Sequence, residues 1–314
     1  MSLCVLCGKP EFEVLFAATD RLYGTTDERF EVVRCRGCGL PRLEPRPSPA
    51  RVGAYYPDHY WFAPDGMVAS RIEEAYRRVV LRDHVRFVRR ALDAAGIPGP
   101  VLDVGCGGGL FLRLMRERGY AVAGLDFSAG AAGVAWRRNG VPVVVGSLAQ
   151  APLAPESCAA VTMFHVLEHL HEPRAYLEAA RALLRPGGTL VAQVPNAASW
   201  QFRLLGAAWT GVDVPRHLVD FRARDLERLV ESCGFRVLRR KFFSLRDNPA
   251  GLASSLAPGL DPMARRVRRV PETGGAKLAK DLAYLALVAA ALPFTALEAA
   301  CRAGSTVMIE ARRR

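Results

Sequence analysis

Lysine is almost missing from this 314-residue chain. Of 43 basic residues only Lys9, Lys241, Lys277 and Lys280 are lysine, which leaves 43 − 4 = 39 arginines. The net charge of +12 therefore comes from a chain rich in both Arg and Ala, the mark of a coding bias. Such an excess is weak ground for a nucleic-acid partner, and no specific nucleic acid is expected. A secretory signal is also lacking, because residues 1–7 do not show a basic segment followed by an apolar one. The expected location is the cytoplasm, where thiols stay reduced. No clean bilayer span is legible either: the longest apolar run, residues 282–294, is short and holds Pro293. Cys106, Cys158, Cys233 and Cys301 have no partner spacing and are expected to be buried or incidental. Apolar residues, at 50%, are nonetheless numerous enough for a well-buried core.

Glycine, in contrast, is concentrated at one place. The stretch VLDVGCGGG at 101–109, followed by the apolar run LFLRLM at 110–115, predicts a buried strand, a tight turn and a helix start. Gly105, Gly107 and Gly109 allow a sharp turn and the close approach of a ligand to the backbone. Dinucleotide enzymes use a similar turn, but here Asp103 precedes the first glycine by two residues. A carboxylate there repels a pyrophosphate and attracts an ammonium group. The loop therefore suits S-adenosylmethionine rather than NAD. Asp126, at the end of the next apolar stretch, stands where an acidic residue commonly takes the ribose hydroxyls.

Further strands are expected at 120–125, 141–145, 159–164 and 189–194, with helices at 128–139 and 173–184. With this ordered series in place, residues 99–243 closely resemble the class I S-adenosylmethionine-dependent methyltransferases. The resemblance implies a doubly wound, Rossmann-like α/β fold whose seven-stranded sheet has its strand 7 antiparallel. It also implies a cofactor site made by Asp103, Gly105, Gly107, Asp126, Phe127, Ser147, Leu148 and Phe164, with S-adenosylhomocysteine as product. One departure is Ser147, where the family often has Asp, so adenine recognition would rest more on backbone groups.

Cys4 and Cys7, then Cys35 and Cys38, form two C-x-x-C pairs, each closely followed by glycine. Four thiolates at this spacing predict a structural Zn²⁺ ribbon, and residues 30–34 read as a strand of a small hairpin within it. Such zinc-ribbon heads occur on a subset of the bacterial methyltransferases that the chain resembles. The expected organisation is a ribbon and aromatic connection at 1–60 and an amphipathic helical linker at 61–98. A core follows at 99–243 with 304–314, interrupted by a helical insertion at 244–303. The aromatics of 55–62 are expected to cover the site mouth or to glue the ribbon to the core. A single long helix is expected over 71–92, its arginine face solvated.

In this fold the donor methyl lies at the carboxyl ends of the strands, so Phe164 and His165 should face the sulfonium. His165 is a candidate general base. His217, in the irregular polar and aromatic segment 200–220, is a second acid–base candidate. His165, Glu168 and His169, with the later His217, also resemble the Glu-x-x-Glu-His pattern of ubiquinone-pathway O-methyltransferases and small-RNA 2′-O-methyltransferases. There the pattern holds a divalent ion; here His165 replaces its first Glu. Bracing of the loop by Glu168 and His169 is the plainer expectation, and a catalytic divalent ion the less expected one. Asn196 is expected to contact donor or acceptor.

The insertion carries Arg265, Arg266, Arg268 and Arg269 ahead of its apolar run. A buried cap helix, a dimer contact or a peripheral lipid contact through 265–297 are its expected uses, while oligomeric state stays open. The function read from these residues is methyl transfer to a small-molecule acceptor, with sugar, lipid-linked or secondary-metabolite intermediates as the expected classes. RNA methylation and a non-catalytic S-adenosylmethionine-binding scaffold are the alternatives.

Overall fold

Apolar residues fall into two kinds of strand, and the two kinds build two sheets. The computed structural model describes residues 2–56 and 67–314. Near the amino terminus, β1 (Phe12–Ala18), β2 (Phe30–Cys35) and β3 (Pro41–Glu44) pair antiparallel in the order β1-β2-β3. The larger sheet contains β4 (Val101–Val104), β5 (Val122–Asp126), β6 (Val143–Val145), β7 (Cys158–Phe164) and β8 (Leu184–Pro195). It is completed by β9 (Phe235–Lys241) and β10 (Thr306–Arg313), in the order β6-β5-β4-β7-β8-β10-β9. The pairs among β4–β8 are parallel, and β10 runs antiparallel to both β8 and β9. This is the expected Rossmann-like sheet with its last strand reversed.

Central strands such as β4 and β7 are apolar almost throughout because helices cover both faces. β9, at the edge, alternates, and Arg236, Arg239, Arg240 and Lys241 make it a poor template for pairing with another chain. After β6 the chain crosses from one side of β4 to the other. That reversal opens a crevice at the carboxyl ends of β4 and β7, where open α/β sheets bind ligands.

On one face, the helix Arg82–Ala95 packs Val85, Val88 and Ala91 against Val101, Leu112, Met115 and Met308. The other face is continuous with the amino-terminal head: Val32, Leu40 and Leu43 share one core with Leu218, Phe221, Leu229 and Phe235. Backbone bonds from Leu43 N to Leu218 O (3.2 Å) and from Asp220 N to Pro41 O (3.1 Å) stitch residues 218–220 onto β3. The head's sheet therefore extends into the chain that leaves the large sheet.

The head itself is drawn together at its cysteines. Sulfur atoms of Cys4 and Cys38 lie 3.6 Å apart and those of Cys7 and Cys35 3.5 Å apart, and all four lie within 4.8 Å of one another. Tetrahedral zinc with Zn–S bonds of about 2.3 Å requires sulfur separations of ~3.8 Å. The donor set fits that ion.

Several expectations change. The predicted single helix over 71–92 is two, Met67–Val80 and Arg82–Ala95, with Leu81 between them in a turn that buries both Val80 and Leu81. Part of its arginine face is paired rather than merely solvated: Arg78 holds Glu74 and Glu117. The predicted hairpin of the head is three-stranded, because Pro41–Glu44 adds to β2. Of the aromatic run 55–62, only Tyr55 and Tyr56 fall within the described residues, so the reading that this run covers the site mouth lies outside them.

In the insertion, the helix Gly274–Ala300 is 27 residues long, double the apolar run, and continues through Pro293. By length and composition it could cross a membrane, yet β10 begins in the sheet six residues after it ends. Leu278, Leu282, Leu285 and Leu297 are exposed, so it is not a buried cap. Nor do the nearby arginines form a free basic patch. Arg265 is buried against Glu272 and Asp281, and Arg268 donates to the carbonyls of Arg21 and Leu22.

Replacing Cys35, which is 1% exposed, tests whether the four sulfurs share a zinc ion. The Cys35→Ser protein should fall from about one zinc per chain to a small fraction and melt about 10 °C lower, since the binding energy of a structural metal is folding energy. Metal content by emission spectroscopy, alongside a thermal melt, tests this; full zinc retention would show that the four sulfurs do not share an ion.

Candidate active site

Two half-sites meet at the crevice. The first is the turn after β4, where Gly105, Gly107 and Gly109 all have positive φ (74°, 52° and 75°). A side chain at Gly105 would lie 2.8 Å from Val166 and one at Gly109 2.9 Å from Ala135, so both are required by packing. At Gly107 nothing lies within 4 Å of the missing Cβ; the loop is open there, as a ligand cradle needs.

Asp126 sits across this cradle at the tip of β5. It accepts from Gly107 N and Ser128 N, both at 2.8 Å, which ties the first loop to the second. Asp103 is buried one strand away and accepts 2.5 Å from Thr162 Oγ1 on β7. Burial, together with the nearby Asp126 charge, pushes the Asp103 carboxyl up to about 7. An acid so destabilised as an anion has a strong electrostatic reason to accept a cation beside it. Leu148 is buried beyond β6, Ser147 bonds Gln150 at 3.3 Å, and Phe127 is exposed beside Asp126. Phe164 stands edge-on to Phe111 and His84 at 5.1 and 5.0 Å. The open glycine, the paired acids and this apolar wall fit an S-adenosyl nucleoside with its cationic amino-acid end.

The second half-site begins one residue later. His165 adopts a positive φ of 57°, which turns its ring between Glu168 Oε1 (3.0 Å from Nδ1) and the Gln193 amide (2.8 Å from Nε2). Asp247, from the insertion, lies 3.6 Å from Nε2. Burial opposes the charged ring, but Asp247 and Glu168 prevail and push His165 up to about 9.

The short 3₁₀ turn Leu167–His169 then presents Glu168 and His169 to the segment 211–217. Glu168, His169 and His217 each bring one ligand-capable atom within 4.8 Å of the others, and the two imidazoles meet edge to face with centroids 4.5 Å apart. His169 Nδ1 lies 3.0 Å from Arg216 O, and His217 Nδ1 lies 2.8 Å from Gly211 O. A carbonyl oxygen only accepts, so each Nδ1 carries a proton and each Nε2 is turned away from the carbonyl that anchors its ring. Burial and the neighbouring His217 lower His169 to about 4, which keeps it neutral. Glu168 is 1% exposed, and its Oε2 has no hydrogen-bond partner among the described residues. Two imidazoles anchored on carbonyls beside this carboxylate oxygen form a donor set that a divalent ion would fit.

The sequence thus located His165, Glu168, His169 and His217, but the structure divides them: His165 faces Asp247 and Gln193, while the other three form the group. Asn196, expected at a ligand, is fully buried and spent on Gly304 O, Ala198 N and Ala223 N. The sequence reading missed Asp247, Gln193 and Asp20. Of these, Gln193 was detectable as a polar residue inside an apolar strand.

A family profile described as a methyltransferase domain matches residues 73–240. Among curated proteins, the chain is 36% identical over 129 residues to a ubiquinone biosynthesis O-methyltransferase of Paraburkholderia xenovorans, covering 38% of this chain and 56% of that protein. It is 31% identical over 182 residues to the Pseudomonas fluorescens protein of the same name, covering 54% of this chain and 78% of that one. The chain thus spans little more than half the length of the first of these relatives. A solved structure of a putative sarcosine dimethylglycine methyltransferase from Galdieria sulphuraria superposes with a TM-score of 0.51 at 15% identity, covering 84% of this chain and 98% of that one. At that identity it speaks to the fold alone.

The Asp103 carboxyl gives a pH signature. Its raised value means that the folded protein keeps a proton which the unfolded chain releases above about pH 4. Its contribution to apo stability is therefore present at low pH and lost as pH rises toward 7. Affinity for a cationic amino-acid end moves the opposite way. S-adenosylhomocysteine should bind roughly tenfold more tightly at pH 7.5 than at pH 5.5, and Asp103→Asn should flatten that dependence. Calorimetry at the two pH values checks both; an equal slope in wild type and variant would remove Asp103 from the cofactor site.

Proposed function

The chain belongs to the methyltransferase domain family, and on that premise we propose that it moves the sulfonium methyl of S-adenosylmethionine to a hydroxyl oxygen of a small-molecule acceptor. The observation that carries this reading is the grouping of His169 and His217 with Glu168, each ring anchored through Nδ1 on a backbone carbonyl so that Nε2 is the nitrogen left for an acceptor. Relatives named ubiquinone biosynthesis O-methyltransferases support oxygen as the acceptor atom.

The acceptor oxygen attacks the methyl carbon in line with the carbon–sulfur bond. That bond breaks, its electron pair stays on sulfur, and the hydroxyl proton must leave. We assign that proton to His217 Nε2: the opposite face of the ring is fixed on Gly211 O, and Asp213 at 3.9 Å favours the imidazolium that forms. His165 serves less well as a base, because its Nδ1 is taken by Glu168 and its Nε2 by the Gln193 amide. We assign it the role of holding Glu168 in place.

The orphaned Glu168 Oε2 favours a second version of the same site. Glu168, His169 and His217 would hold a divalent ion, and that ion would supply Lewis-acid stabilisation of the acceptor oxyanion. We further propose zinc for the four-cysteine group and a cytoplasmic location, which eight cysteines free of disulfides support.

Purified protein with methyl-labelled donor and a panel of catechols and polyprenylated phenols is expected to label a phenolic oxygen. His217→Ala should lower kcat by 10²–10³-fold or thereabouts while leaving cofactor affinity within about twofold. Magnesium or manganese added to metal-depleted protein separates the two versions, since only the second responds. Labelling of carbon or nitrogen alone, or undiminished turnover in the variant, would overturn the assignment.

A further inference from the structure

Arg216 adjoins His217 in the chain, and its guanidinium is fully buried. Its Nη2 and Nε donate to Asp213 at 2.7 and 3.0 Å, within the same turn of chain. Its remaining charged partner comes from 196 residues away: Asp20, on the loop leaving β1, accepts from Nη2 at 2.8 Å and from Nη1 at 3.0 Å. Thr25 Oγ1 and Tyr55 O, also on the head, accept from Nη1 at 3.2 and 3.3 Å. Tyr23 lies under the guanidinium with its ring centroid 4.6 Å away.

Asp20 is prepared for this partner. It is almost wholly buried, and it accepts from Tyr23 N (3.1 Å), Thr25 N (2.8 Å) and Thr25 Oγ1 (2.6 Å). Burial would raise its carboxyl, but Arg216 and Thr25 hold it below the usual value. A cation shared by two carboxylates leaves one excess negative charge, and these three donors on the head offset it.

The triad acts on chemistry through one atom. The carbonyl of Arg216 receives the proton of His169 Nδ1, and the next residue is His217. The head touches His169 a second time through the Tyr56 hydroxyl, 2.9 Å from the same nitrogen. On the far side Arg222 Nη2 donates to Cys38 O at 2.9 Å, beside the cysteine group. The head thus grips residues 216–222 at both ends, and His217 lies between those grips.

We propose that Asp20 is a positioning residue of the acceptor half-site: by clamping Arg216 it fixes both histidine rings in the Nδ1–H tautomer, with Nε2 bare toward the acceptor. The amino-terminal head is then a structural part of the active site. This inference rests on the acceptor reading given above, but its decisive readout does not depend on turnover.

The experiment uses the full, zinc-loaded chain labelled with ¹⁵N-histidine, and two-bond ¹H–¹⁵N correlations that report which ring nitrogen bears the proton. The wild type should show His169 and His217 as Nδ1–H tautomers. In Asp20→Asn both should move toward the ordinary Nε2–H form. His84, whose Nδ1 lies on Asp83, should keep its signals, zinc content should stay at one equivalent, and S-adenosylhomocysteine affinity should remain within about twofold. Turnover of a catechol probe should fall at least tenfold in kcat with KM for the donor unchanged.

Should Asp20→Asn not fold, Arg216→Lys carries the test. It keeps the charge but cannot serve two carboxylates at once, and the same tautomer shift is expected. Unchanged His169 and His217 signals in a folded variant would overturn the proposal. If the tautomers shift in a protein that methylates no hydroxyl, the positioning role stands and the acceptor assignment fails.

Discussion

A fully buried guanidinium is an expensive object, and Arg216 is one. Removing its charge from water costs several kcal/mol unless well-oriented anions and acceptors replace the solvent. Asp213 alone does not suffice, since it leaves half of the guanidinium fork unmet. The fork is completed only when the loop carrying Asp20 arrives from the other end of the chain. A local turn is in this way made dependent on a distant one, and the segment holding His217 cannot take its final shape before the head has docked. That dependence explains why the head shares a core with the large sheet rather than hanging from it on a tether.

The two halves of the site are therefore stabilised in different ways. The cofactor half is local: glycines with positive φ, an acid two residues before them and another at the next strand tip, all fixed by the β4–β5 pairing. Its geometry follows wherever the sheet forms. The proposed acceptor half is assembled from parts far apart in sequence, with the head on one side and Asp247 of the insertion on the other. Asp247 accepts from Gln193 Nε2 at 2.6 Å and Ser244 Oγ at 2.5 Å and faces His165. A shared donor pocket with a separately built acceptor wall suits a fold that serves many acceptors, since the wall can change while the sheet does not.

This division also sets what was legible in the sequence. Asp103, the three glycines and Asp126 could be read because strand period and turn chemistry act over a few residues. The cysteine pairs could be read because metal geometry imposes a spacing. His165 and His217 were visible as residue types, but not their separation: a positive φ at His165 turns its ring toward Asp247, and nothing in the local pattern announces that turn. Asp20 was invisible for a plainer reason. An aspartate in the polar stretch 19–29 looks like any solvated turn residue until its partner 196 positions away is known. The long insertion helix was underestimated because its first turns, Gly274–Lys280, are glycine- and lysine-bearing and mask its continuity.

The arrangement also bears on how a proton could leave the site. His165 touches Glu168 on one side and faces Asp247 on the other; His84 Nε2 lies 3.9 Å beyond Asp247 and has no hydrogen-bond partner among the described residues. The opposite nitrogen of His84 is held by Asp83, whose other oxygen bonds Lys241 at 2.5 Å. Acids and imidazoles therefore alternate from Glu168 toward the edge strand β9. Burial lowers His84, while Asp83 and Asp247 act the other way. Asp247 stands between two imidazoles, His165 at 3.6 Å and His84 at 3.9 Å, and Arg246 and His165 hold its carboxyl well below the usual range against the effect of burial. The insertion is thus tied to His165 and Gln193 through Asp247 as the head is tied to Arg216 through Asp20, and the proposed acceptor half-site draws on both.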